Sequence, residues 1–60
     1  MPTIKISMST QTDEKRKAII EALTNAASDA TGIPTKSFTV YIDEYDRAAI
    51  GVDGVPLSEK

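Results

Sequence analysis

With no histidine and no cysteine in its 60 residues, this chain must carry out any proton chemistry with carboxylates, amines, hydroxyls or its own terminus. The common zinc ligand sets, the serine-histidine-aspartate triad and any thiolate nucleophile are excluded at once. Attention falls on the opening residues, MPTIKISM, where Pro2 directly precedes an alternating stretch. Behind Met1 its nitrogen is a tertiary amide without basicity. Once Met1 is removed, the same nitrogen is a secondary amine whose direction the ring fixes. An α-amino group has an ordinary pKa of about 7.7 to 8.0, and an apolar pocket or neighbouring cations lower it by disfavouring the ammonium form. Such a group can take up a proton and return it near neutral pH, as general acid–base catalysis requires. The same lone pair can add to an aldehyde and give an iminium, the start of aldol-type or decarboxylation chemistry. The plainest alternative gives Pro2 no chemistry, only first place in an edge strand that needs no donor there.

An acid substrate also needs a cation opposite its carboxylate. Arg47, in the loop after the second strand, is the first candidate, and Lys36, at that strand's entry, is the next. The competing reading of Arg47 is a solvated loop cation paired with Asp46 or Glu44. Lys5, Lys15, Arg16 and Lys17 read as surface charges. Asp43 and Glu44 do not make a two-carboxylate site, because adjacent residues on a strand point to opposite faces. Tyr41 suits interface packing better than donation to a substrate. Ser7, Thr10 and Thr12 lack an activating base and read as strand and cap residues. No metal site and no cofactor is expected.

Nine acidic side chains against seven basic ones leave a net charge of −2. Nucleic acids and anionic membranes both ask for a basic face, so neither is an expected partner. No apolar stretch approaches a membrane span and the first residues lack the regions of a signal peptide, which makes a cytoplasmic protein the expectation.

The elements that must hold these groups follow from the patterning. Thr3 to Met8 alternate, with Ile4, Ile6 and Met8 on one face and Thr3, Lys5 and Ser7 on the other, a half-buried strand. The segment DEKRKAIIEALTNAASDATG follows as a helix, capped by Thr12, with Asp13 and Glu14 in its first turn and Gly32 after its last. Its apolar stripe is Ile19, Leu23, Ala26, Ala27 and Ala30, with Ile20 and Ala22 at the margins. FTVYID, residues 38–43, alternates again and reads as a second strand. Strand, helix and strand with short loops make a βαβ unit with parallel strands. Asp53-Gly54, between Ile50 to Val52 and Val55 to Leu57, marks a short C-terminal β-hairpin, and Pro56 confines its last piece to an edge. The fold class is therefore α/β, residues 1–60 forming one small domain. One helix over two strands buries too little apolar surface to stand alone, so neighbouring copies are expected to complete it. Tyr41, Ile50, Val52, Val55 and Leu57 are the expected contact surface.

Taken together, the initial MP, the TDEKR helix start, the IP at Ile33 and Pro34, the IDE at Ile42 to Glu44 and the late IGVDG resemble the 4-oxalocrotonate tautomerase family, in its DmpI-like branch. The resemblance covers essentially the whole chain. It implies a homohexamer built as a trimer of dimers, no cofactor, and an isomerase whose general base is Pro2. It further implies a site walled by neighbouring subunits, taking a small enol or 2-oxo acid. Two arginines hold the substrate in the well-known members. Their positions fall here on Gln11, before the helix, and Thr39, on the second strand, and the aromatic wall before the hairpin glycine falls on Ile50. Gln and Thr offer only neutral hydrogen bonds to a carboxylate, which leaves Arg47 and then Lys36 as stand-in cations. A non-catalytic oligomer that kept the fold is the alternative those replacements raise.

Overall fold

Alternation at period two draws Thr3–Ser9 out as strand β1, with Ile4, Ile6 and Met8 half-buried and Thr3, Lys5 and Ser7 exposed. The computed structural model describes residues 2–60. The hydroxyl-rich turn after β1 ends at Thr12, whose extended backbone (φ −77°, ψ 161°) lets its side-chain oxygen accept the Lys15 N–H at 3.2 Å. That cap opens helix α1, Asp13–Thr31, with Asp13 and Glu14 at the positive end of the helix dipole. Gly32 closes it in the left-handed region at φ 77°, its N–H donating to the Ser28 carbonyl at 2.9 Å. The Ser28 hydroxyl donates in turn to the Ile33 carbonyl at 2.6 Å. This fastens the exit of the helix just before Pro34.

A single 3₁₀ turn at Thr35–Ser37 leads into strand β2, Thr39–Tyr45, which pairs with β1 in parallel from Thr3 opposite Thr39 to Ser9 opposite Tyr45. Both strands run two residues or fewer past their expected ends. Register puts Ile4, Ile6 and Met8 beside Val40, Ile42 and Glu44 on the face that α1 covers. Lys5, Ser7 and Ser9 lie beside Tyr41, Asp43 and Tyr45 on the other. After a second 3₁₀ turn at Arg47–Ala49, β3, Gly51–Val52, and β4, Val55–Pro56, form the hairpin, antiparallel with Val52 opposite Val55. Positive φ at both central residues, 56° at Asp53 and 78° at Gly54, is the backbone of a type I′ turn. Glycine adopts it freely and aspartate tolerates it.

The expected helix stripe is corrected by rotation. Ile19, Leu23 and Ala27 are half-buried, but they share the packed side with Arg16, Thr24 and Ser28, while Ala26 and Ala30 are exposed. An alanine is apolar without being informative, and a two-stranded sheet is narrower than the apolar side of the helix above it. Ile20 consequently overhangs, 41 % exposed.

No described residue is fully buried. The radius of gyration is 14.3 Å and the long axis 42 Å, where a compact 60-residue chain has a radius near 10 Å. The surface of 4464 Å² likewise exceeds the roughly 3,800 Å² expected at this mass. Tyr41, Val52 and Val55 of the expected contact surface stand 52 %, 48 % and 38 % exposed, joined by Tyr45 at 50 %. Ile50 and Leu57 are half-buried instead, the Leu57 N–H donating to the Ile50 carbonyl at 2.8 Å.

Candidate active site

Parallel pairing decides which candidate residues share an end of the layer. Pro2 lies at the head of β1, half-buried, and its carbonyl accepts the Thr39 N–H at 3.1 Å. Thr39 opens β2 beside it, with Lys36 exposed three residues upstream. Gln11 follows the far end of β1, and Arg47 and Ile50 follow the far end of β2. A seven-residue strand separates its ends by about 20 Å at 3.3 Å per residue. One copy therefore holds Pro2, Thr39 and Lys36 at one end and Gln11, Arg47 and Ile50 at the other. The described residues enclose no pocket.

The far end contains a charged cluster that local sequence reading treats as ordinary surface. Arg16, in the first turn and a half of α1, reaches across to Glu44 on β2. Its Nε donates to Oε2 and its Nη2 meets Oε1, both at 2.7 Å, a side-on bidentate pair. Nη1 donates to Asp13 Oδ1 at 2.7 Å. The Gln11 backbone N–H adds a fourth contact, to Glu44 Oε2 at 3.1 Å. The Glu44 side chain is 19 % exposed and that of Arg16 37 %. The Arg16 hydrogen bond holds the Glu44 carboxyl below its ordinary 4.5 against the opposing effect of desolvation, and the Gln11 N–H and the Arg16 charge add to it. The same hydrogen bond, partly offset by desolvation and helped by the charges of Glu44 and Asp13, raises Arg16.

Arg16 is thus corrected from a surface charge to a helix-to-strand tie. Glu44 is not the partner of Arg47, as one reading had it. The available signal was weak but real: Asp13 and Arg16 stand three apart on a helix, and Glu44 falls on the apolar side of an alternating strand. Arg47 itself is exposed and donates from Nη2 to the Leu57 carbonyl at 3.1 Å, bracing the C-terminal turn. Among the described residues the ion pairs are those of Arg16 alone, so the Arg47 charge has no carboxylate within 4.0 Å. The Gln11 side chain folds back, Nε2 donating to the Ser9 carbonyl at 2.8 Å and to Ser9 Oγ at 3.3 Å. Among the described residues no group of three or more acidic side chains is placed to hold a metal. No helix there is long and apolar enough to cross a membrane. Met1, whose removal would free the Pro2 amine, lies outside the described residues.

The chain is thus a parallel βαβ unit headed by a proline and closed by a hairpin at Asp53-Gly54, and comparison with known proteins gives its class. The family model described as "Tautomerase enzyme" matches residues 2–60. A probable tautomerase of Bacillus cereus is 36 % identical over 61 residues, covering 100 % of both chains. Among solved structures, YwhB, described as a homologue of 4-oxalocrotonate tautomerase, superposes with a TM-score of 0.86 at 28 % identity, covering 98 % of each chain. A heterohexameric 4-oxalocrotonate tautomerase from Chloroflexus aurantiacus superposes at 0.90 with 25 % identity, covering 98 % of this chain and 97 % of that one. The chain belongs to the tautomerase family, and its class of reaction is isomerisation.

Proposed function

We propose that the chain catalyses keto-enol proton transfer on a small 2-hydroxy or 2-oxo acid, with Pro2, freed of Met1, as general base. The observation that carries this reading is the division of the candidate residues between the two ends of a layer that has no buried core of its own. Neither end is a site alone, and packing copies together supplies both the missing core and the missing half of the site. A homohexamer arranged as a trimer of dimers is the assembly proposed, acting in the cytoplasm, with residues 1–60 as its single-domain subunit. The family match begins at Pro2, which supports the amine as the working group.

In this reading the Pro2 nitrogen takes the enol hydroxyl proton, the carbonyl forms as the C=C π pair shifts, and the prolinium returns the proton to carbon. Burial of the amine against apolar residues such as Ile50 from another copy keeps it neutral. Arg47 pairs with the substrate carboxylate, with Lys36 as the lesser cation, Thr39 supplies a neutral hydrogen bond to the oxygen that gains charge, and Gln11, whose donors are engaged by Glu44 and Ser9, lines the site.

The test begins with intact mass, to establish that Met1 is absent. Ultraviolet-monitored ketonisation of phenylenolpyruvate by wild type and by Pro2→Ala follows. A fall of about 10²-fold or more is expected for the variant. Equal rates rule out the general base, and equal rates at the uncatalysed background leave the non-catalytic oligomer. Borohydride trapping of an aldehyde on Pro2 without ketonisation points to the iminium chemistry instead.

A further inference from the structure

The arginines of this chain are Arg16 and Arg47, and they are in opposite states. Arg16 directs three donors at carboxylates: two at Glu44 and one at Asp13. Arg47 gives one donor to a neutral carbonyl, the Leu57 oxygen. Both stand at the end of the layer where Gln11 and Ile50 also lie. We propose that this division makes the enzyme selective for an enol acid bearing one carboxylate, held by Arg47, over a dicarboxylate. The inference rests on the proposed function, in which Gln11, Arg47 and Ile50 wall the substrate.

A guanidinium recognises a carboxylate through parallel N–H donors on one edge of its plane. Glu44 already fills such an edge of Arg16, and Asp13 takes the remaining terminal nitrogen. A second substrate carboxylate brought beside Gln11 meets two carboxylates and a guanidinium whose Nε–Nη2 edge is filled and whose Nη1 already bonds Asp13. Gln11 does not compensate, since its backbone N–H is held by Glu44 and its side-chain amide by Ser9. Lys15 and Lys17, the other cations of this helix start, are exposed beside the exposed Asp13 and Glu14, where water and salt screen them. One guanidinium remains for the substrate, and it neutralises one carboxylate; the exposed Lys36, a flexible point charge at the Pro2 end, offers no fixed fork for a second.

The test compares kcat/KM for phenylenolpyruvate, with one carboxylate, against 2-hydroxymuconate, with two, on the intact assembly lacking Met1. Wild type is expected to favour the monocarboxylate at least 10-fold. Glu44→Gln removes a negative charge and loosens the hold on Arg16, and is expected to move the ratio at least 10-fold toward the dicarboxylate. Gln11→Arg adds a guanidinium without altering the Arg16 pair, and is expected to move the ratio the same way should Glu44→Gln fail to assemble. A wild type that turns over the dicarboxylate as well or better, or a ratio unmoved in both variants, overturns the selectivity while leaving the general base intact. Absent or Pro2-independent turnover of both substrates overturns the proposed function and the selectivity with it, and Pro2→Ala tells these outcomes apart.

Discussion

The two ends of the β1–β2 layer are held in different ways. At the far end, one side-on ion pair, one further carboxylate and a backbone N–H lock the helix start, the loop at Gln11 and the end of β2 together. At the near end, Pro2 is fixed through its carbonyl by a single backbone hydrogen bond from Thr39. The contrast separates two tasks. The charges of Arg16, Glu44 and Asp13 at the far end are consumed in holding elements in place, and of the two arginines there only Arg47 lacks a carboxylate partner among the described residues. The near end carries few fixed partners, which suits the proton-transferring amine proposed there.

Substitutions sharpen that contrast. The largest effect among them belongs to Arg47, the guanidinium without a carboxylate partner: Arg47→Ala is expected to lower kcat/KM for phenylenolpyruvate by about 10²-fold. An unchanged kcat/KM would return Arg47 to the role of a brace on Leu57. Glu44→Gln is expected to lower the Tm at neutral pH, because it weakens the tie between α1 and β2. The sign with pH follows from a folded-state pKa held below the ordinary 4.5. The contribution of Glu44 is complete above that ordinary value and is lost as pH falls through the lower folded one. The Tm difference between wild type and Glu44→Gln should therefore close on acidification below 4.5; a difference independent of pH would show that the carboxylate charge is not its source. Arg16 has its pKa raised, so its contribution is lost only in strong alkali. The smallest effect is at the helix exit, where Gly32 is not itself a candidate site residue. Gly32→Ala places a side chain at φ 77° and is expected to cost about 1 kcal/mol in denaturant unfolding of the assembly with kcat unaltered.

Much of the fold was legible because its signals are local. Alternation marks β1 and β2, Thr12 and Gly32 bound the helix, and Asp53-Gly54 can close a hairpin with little strain. The packed side of α1 was less legible, since alanines allow the helix to rotate and only the width of the sheet decides which of them are covered. The Arg16–Glu44 tie left only a weak trace in the sequence. Its partners are 28 residues apart, and each looks ordinary in its own segment. Of the candidate site, Pro2 could be singled out by chemistry, whereas the separation of Pro2 from Gln11 and Arg47 emerges only when parallel pairing assigns both strands a direction.

The central claim is that a free amine at Pro2 moves the proton. Its most direct test is the ketonisation rate of preparations containing graded fractions of Met1-free chain, each fraction read by intact mass. The rate is expected to rise in proportion to the Met1-free fraction and to reach background where Met1 is retained throughout. A rate independent of that fraction would contradict the claim.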